Sequence, residues 1–314
     1  MPLLTPFLTR KRTILLKTET TYGTDATPTG SEALSVRSLD VSPIDADVVS
    51  RDLIRPYLGN SNSLLANIKV KCDFEVELAG SGIAGTAPRW GPAMLACGTA
   101  ATTVASTSVT YAPVSTAFSS ATIYYFADGI KHAVTGWRGT FEIKGELGQI
   151  PTISFTGTGI YSAPTDTAVG SVTYGNQADP LIFTSGNTTA FSLFSYSGCL
   201  SSFSFAINNE IQYRELIGCA KEVIITDRKP SGQVMIESVP IATKDYFTLA
   251  TGATTGNLAL THGTTAGNRA VFAAAQADLT NPTYGDLNGV IMLNLPCAFL
   301  PTTAGNNEFS LALT

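Results

Sequence analysis

The chain has 314 residues, of which 44% are hydrophobic and only 14% charged, with a formal net charge of −5. This length holds two domains of ordinary size with real cores, and the low charge leaves Ser, Thr, Asn and Gly to finish a surface suited to burial against other subunits. The negative balance excludes tight nucleic-acid binding, which needs Lys and Arg to displace counterions, and no apolar run approaches the length of a membrane span.

In chain order, residues 1–30 read as an extended arm: Pro2, Pro6, Pro28 and the polar run 18–29 give little to pack, while 13–18 can pair as an edge strand. Arg10-Lys11-Arg12 precede Ile14-Leu15-Leu16, the wrong arrangement for a secretory signal, so the chain is expected to be made and kept in the cytoplasm. A strand is predicted over 34–41. Residues 42–65, with Arg51, Arg55, Pro56 and the turn-rich Gly59-Asn60-Ser61-Asn62, read as an excursion projecting from the sheet.

Residues 67–78 alternate without a break: Ile68, Val70, Cys72, Phe74, Val76 and Leu78 on one side, Lys69, Lys71, Asp73, Glu75 and Glu77 on the other. Successive strand side chains point to opposite faces, so this segment is a wall with a dry side and a wet, charged side. A glycine-rich bend, 80–85, and a short helix over 88–97 with Pro88 in its first turn and Gly98 as its stop come next. Residues 99–121 read as loop with an edge strand near 108–111. Strands are predicted over 121–126, 130–137, 138–147 and 152–161, with Asp128-Gly129 as a two-residue hairpin turn. In 140–147, Phe141, Ile143 and Leu147 face in while Thr140, Glu142, Lys144 and Glu146 face out.

The Pro, Gly, Asn and Thr-rich stretch 166–190 reads as a linker. Beyond it the order of the first half recurs: a strand at 202–207, strands at 221–226 and 233–239 around the turn 227–232, a short helix over 243–250 capped by Thr243, and strands at 257–262, 270–275, 288–295 and 308–313. The expected organisation is therefore an arm at 1–30, a first β domain at 31–165, a linker at 166–190 and a second β domain at 191–314.

No reactive constellation emerges. Gly80-x-Gly82-x-x-Gly85 matches a dinucleotide fingerprint, but the strand before it alternates where a buried parallel strand is apolar throughout, and no acidic residue follows about twenty positions on; the glycines read as a tight bend. His132 and His262 each stand alone. The five cysteines (Cys72, Cys97, Cys199, Cys219, Cys297) include no C-x-x-C pair and read mostly as buried free thiols. Glu75, Glu77, Glu142 and Glu146 supply paired carboxylates of the kind a glycosidase uses, but their regular alternation favours a solvated sheet face. Arg51, Asp52 and Arg55 fit a partner anchor or an ordinary solvated loop equally well. The reading is of a building block, with no enzymatic activity, cofactor or metal.

Three stretches resemble the tail tube (major tail) proteins of long, non-contractile bacteriophage tails. They are Leu16-Lys17-Thr18-Glu19-Thr20-Thr21-Tyr22-Gly23-Thr24-Asp25 with Pro28-Thr29-Gly30; Ser42-Pro43 with Val48-Val49-Ser50-Arg51-Asp52; and Glu77-Leu78-Ala79-Gly80-Ser81-Gly82 through Ala87-Pro88-Arg89-Trp90-Gly91 to Leu95-Ala96-Cys97-Gly98. The resemblance implies a mainly β chain of two tube-type β-sandwich or split-barrel units, each with one short helix, plus the N-terminal arm. It implies rings that stack into a hollow conduit for DNA delivery, in the virion tail, assembled in the host bacterial cytoplasm with itself, tape-measure and other tail proteins. Lys69, Lys71, Asp73, Glu75, Glu77, Glu142, Lys144 and Glu146 would then line the lumen, past which DNA slides without sticking. Arg10, Lys11, Arg12, Arg51, Asp52, Arg55 and Tyr57 would contact the next ring. Because the unit is doubled, trimeric rings with pseudo-sixfold symmetry are expected, with hexamers as the alternative. Another virion component (terminator, baseplate or decoration protein) and a carbohydrate-binding β-sandwich are the competing readings.

Overall fold

The computed structural model describes residues 6–314, so residues 1–5 of the predicted arm, Pro2 among them, lie outside the described residues. The first half contains β1 (Arg12–Thr18), β2 (Ala33–Leu34), β3 (Ser38–Ser50), β4 (Ser63–Glu77), α1 (Gly91–Ala96), β5 (Thr99–Val104), β6 (Ser108–Pro113), β7 (Ala121–Ala127), β8 (Ile130–Glu146) and β9 (Thr152–Ile160). The short β10 (Thr165–Asp166) opens the connection to the second half. That half contains β11 (Thr188–Leu193), β12 (Leu200–Ala206), β13 (Asn209–Arg214), β14 (Glu222–Arg228), β15 (Ser231–Glu237), α2 (Tyr246–Thr251), β16 (Gly256–His262), β17 (Ala270–Leu279), β18 (Thr283–Leu287), β19 (Val290–Phe299) and β20 (Ser310–Leu313).

The chain is mainly β and forms antiparallel layers that do not close into a barrel. One layer runs β3-β4-β9-β8-β12-β15-β19-β18. Its first four strands pair in the same pattern as its last four, and the two sets meet edge to edge where β8 pairs β12. Covering it are β2-β1-β7 with the front of β8, and the run β11-β16-β17-β20-β6-β5. The predicted alternation of 67–78 holds: Val70, Cys72, Phe74 and Val76 are buried. Phe74 begins an aromatic seam across the junction, Phe74 to Phe155 (5.1 Å), Phe155 to Phe141 (6.2 Å), Phe141 to Phe205 (5.9 Å) and Phe205 to Phe272 of the covering layer (4.8 Å). One buried cluster therefore runs through both halves.

Several elements differ from the sequence reading. Strands 130–137 and 138–147 are one strand, β8, which bends at a bulge between Thr135 and Arg138 where Gly136 sits at φ +60°. Before the bulge β8 pairs β7, and after it β9 and β12, so one strand serves two layers. Leu147 lies beyond its end and is exposed, with Gly145 taking the inward place. The excursion 42–65 is the outer part of a long hairpin, β3 and β4, whose tip projects as expected. Residues 99–104, expected as loop, form β5. Segments 221–226 and 233–239 do not pair with each other: β14 pairs β13 in a separate hairpin, and β15 pairs β12.

Within the predicted arm, β1 pairs both β2 and β7 and buries Ile14, Leu15 and Leu16, so it is an interior strand and not an edge one. Three consecutive apolar residues mark a strand covered on both faces. Both helices are one turn and a half. α1 starts at Gly91 with Pro92 in its first turn and stops at Gly98 (φ +77°), and α2 is capped by Asp245, not Thr243, through the Thr248 amide at 2.9 Å.

Candidate functional site

Alternation on six neighbouring strands places one set of mostly polar residues on a single face, opposite the aromatic seam. Cross-strand registers order them into rows. One row runs Ser38, Glu75, Ser154, Glu142, Ala206, Ser231, Ala298; the next runs Glu77, Thr152, Lys144, Ser204, Gln233, Pro296. A third joins Glu146, Ser202, Met235, Asn294 and Thr283. The face is concave over its middle, with a hollow of about 420 Å³ lined by Thr140, Glu142, Ser154, Thr156, Ser204 and Gln233.

All eight predicted lining residues lie on β4 or β8 and seven share this open face. Glu142 is paired by Lys144 at 2.8 Å, Asp73 by Lys71 at 3.5 Å, and Glu75 by Arg37 at 3.8 Å. Glu77 and Glu146 have no ion pair among the described residues. Lys69 is drawn aside, 3.7 Å from Asp45 and 6.0 Å from the Tyr213 ring, in a cleft beneath the β13–β14 hairpin. Burial pushes the Asp73 carboxyl up, against the Gly157 amide and the Lys71 ammonium, which pull it down. Asp40 stands directly opposite Asp73 and adds to the upward push. Exposed pairs of this kind contribute about 0–1 kcal/mol each, so they set the face's charge more than its stability.

The sequence reading missed the second half's contribution to this face. Ser202, Ser204, Gln233, Asn294 and Glu237 belong to it, and the visible signal was the alternation of Ser202 and Ser204 with Phe203 and Phe205. The face is thus acidic on the first-half strands and nearly neutral on the others.

The predicted inter-ring residues fall in two places. Arg51, Asp52, Arg55 and Tyr57 are together on the exposed tip of the β3–β4 hairpin, where Arg51 donates to Asn62 at 3.2 Å and Asp52 accepts from Ser50. Ile54 and Leu58 beside them are fully exposed. Arg10, Lys11 and Arg12 lie at the start of β1, with Lys11 3.6 Å from Asp128 and Arg12 donating to the Leu39 carbonyl at 3.2 Å.

The Gly80–Gly85 bend proves to be a close crossing of backbones. A Cβ on Gly80 would lie 2.0 Å from the Gly267 carbonyl oxygen, and one on Gly85 2.4 Å from the Ser106 nitrogen. The Gly82 amide donates to that Gly267 carbonyl at 3.0 Å, and the Ala178 amide to the Gly80 carbonyl at 2.8 Å. First half, connection and second half are pinned together there. His262 is buried, stacked on Phe183 at 5.5 Å, with its ring nitrogens engaged by Thr188 and the Leu181 carbonyl. Glu19 gathers a dense polar cluster: its carboxylate accepts from the amides of Gly23 (2.8 Å) and Gly136 (2.7 Å) and from the hydroxyls of Ser120 and Thr122. All of these groups are consumed by structure. No described helix is long and apolar enough to cross a membrane.

Comparison with curated proteins gives no match. A family model described as phage tail tube protein matches residues 9–299, spanning both halves of the layered fold and the polar face between them. The chain belongs to the phage tail tube protein family, as a structural component of the virion tail that assembles with itself and with other tail proteins.

Proposed function

We propose that the chain forms rings that stack into the hollow tube of a long, non-contractile tail, and that DNA leaves the capsid through the bore. The observation that carries this reading is the continuous polar face on β4, β9, β8, β12, β15 and β19. A bore must stay wet and must hold no trap for phosphate. Ser, Thr and Gln rows with a surplus of carboxylates meet both demands, because they offer water partners and repel the strand without binding it. Asp73, Glu75, Glu77, Glu142 and Glu146 line the bore together with Lys71 and Lys144, while Lys69 sits at its margin.

In this reading the segments 31–165 and 191–314 are two tube-type units joined by the connection at 166–190. Three chains then present six similar units around the bore. The tip of the β3–β4 hairpin, with Arg51, Asp52, Arg55 and Tyr57, and the segment at Arg10–Arg12 reach the adjacent ring. Ile54 and Leu58, left fully exposed at that tip, are the apolar residues such a contact would cover. Negative-stain microscopy of the purified chain tests the proposal: hollow rods built of stacked rings are expected, and a chain that stays monomeric at all concentrations would overturn it.

A further inference from the structure

Three strands of the eight-stranded layer run the same way, because one antiparallel neighbour separates each from the next: β4 and β8 flank β9, and β8 and β15 flank β12. Each of the three ends in a glutamate on the polar face, Glu77, Glu146 and Glu237. None of these carboxylates has an ion pair among the described residues, and Lys144, the nearest cation along β8, is spent on Glu142 at 2.8 Å. We infer that rings stack with this glutamate end of one against the opposite, lysine-bearing end of the next, so that Glu77, Glu146 and Glu237 meet Lys71 and Lys229 of copies in the neighbouring ring, and that this pairing fixes the polarity of the tube. The inference rests on the ring reading above.

The lysines stand where the ladders of the layer break. Lys71 lies opposite Ser42, the last residue of β3 before its register shifts, and Lys229 lies just before β15 begins. Lys71 is 3.5 Å from Asp73 and Lys229 is 3.3 Å from Asp227, longer than a charge-assisted hydrogen bond, and their side chains are 51% and 82% exposed. Such loose, exposed pairs leave each ammonium free to take a second carboxylate. The other charges nearby are engaged: Asp45 by Lys69, Asp47 by Asn67, Arg214 by Glu222 and Lys221 by Glu215. The six residues from Lys71 to Glu77 span about 20 Å, too far for the two ends of the face to neutralise each other within a chain.

Both halves repeat the device. A lysine stands eight residues before the terminal glutamate in each, Lys69 before Glu77 and Lys229 before Glu237. In the first half Lys69 is drawn toward Asp45, and Lys71 is the more exposed of the two. Opposite ends of the face are therefore complementary and like ends repel. Two glutamate ends face to face would set three unpaired carboxylates per chain against three more, and like charges brought together are how an interface rejects a wrong partner. A contact between two different ends of the same chain propagates without closing, as a filament of stacked rings requires.

Charge reversal tests the polarity directly. One variant carries Glu77→Lys, Glu146→Lys and Glu237→Lys, and a second carries Lys71→Glu and Lys229→Glu. Each alone has like-signed ends, so in negative stain each should give separate rings where the parent gives rods. Mixed in equal amounts, the two should recover rods. A milder variant, Glu77→Gln with Glu146→Gln and Glu237→Gln, keeps the shape of each side chain and decides the matter if the reversed chains misfold. Its rod growth, followed by light scattering, should be at least about tenfold slower than the parent's at low salt and equal to it near 1 M salt, where the screening length falls to about 3 Å. Parent-like stacking by both reversed variants, or parent-like growth of the Gln variant at low salt, would overturn the inference and leave the ring reading standing. If the parent chain forms no rings, the ring reading fails and takes the inference with it.

Discussion

Glu19 Oε1 accepts a hydrogen bond from the Gly136 amide at 2.7 Å, so the segment that leaves β1 holds the point at which β8 turns from one layer into the other. The same carboxylate also accepts from Gly23, Ser120 and Thr122, and is buried. Hydrogen bonds to a charged acceptor contribute about 1.5–3 kcal/mol each, and a buried donor left unsatisfied costs about 1–3 kcal/mol. Glu19→Ala should therefore lower the stability of the unassembled chain by about 3 kcal/mol or more in urea denaturation. Glu19→Gln, which keeps the shape but turns an NH2 group toward donors, should also destabilise. A neutral Glu19→Gln would show that the site needs only volume.

Phe205 is fully buried where the two halves meet, within 4.5 Å of the Phe309 ring centroid and 5.3 Å of that of Phe299. Phe205→Ala removes the ring around which the others are arranged and should cost about 3–5 kcal/mol. Because the seam continues through Phe141 into the first half, both halves should unfold in one transition. Two separate transitions in calorimetry would contradict the shared core.

Burial lowers the pKa of His262, against the Leu181 carbonyl, which raises it by accepting its N–H. The folded value lies below the ordinary value of about 6.5, so the unfolded chain binds the proton more readily. The stability contributed by neutral His262 is complete above about pH 6.5 and is lost as pH falls toward the folded value. The loss of stability between pH 7 and 5 should be smaller in His262→Gln than in the parent. Equal slopes would contradict the assignment.

Cys72, Cys97 and Cys297 are buried, and burial holds the Cys297 thiol up at about 12. Cys199 and Cys219 are exposed, so the expectation of mostly buried thiols holds for three of the five. A thiol reagent should react rapidly with two groups of the native, unassembled chain and with the rest only on unfolding. Rapid reaction of all five would contradict the buried core.

The polar face and the core beneath it were legible because strict alternation on β4 and on the second half of β8 leaves no other arrangement. β1 was harder to place, since Ile14-Leu15-Leu16 lacks alternation when both faces are covered. The bend of β8 at Gly136 was invisible for a different reason: what holds it is Glu19, more than a hundred residues away. The pairing of β14 with β13 instead of β15 was likewise unreadable from the turn residues, since the β13–β14 hairpin packs over β8 and β9, which lie far from it in sequence. Of the candidate site, the charged face of β4 and β8 could be read from sequence. Their neighbours on β12, β15 and β19 were harder to read, because Ser, Gln and Asn carry no charge pattern, and only the alternation of Ser202 and Ser204 with Phe203 and Phe205 marked the face.

The central claim is that the polar face of this layer is the wall of a bore. A density map of the assembled tube, fine enough to place side chains, tests it most directly. Glu75, Glu77, Glu142 and Glu146 should project into the central channel; a map in which these four carboxylates point away from any channel would rule it out.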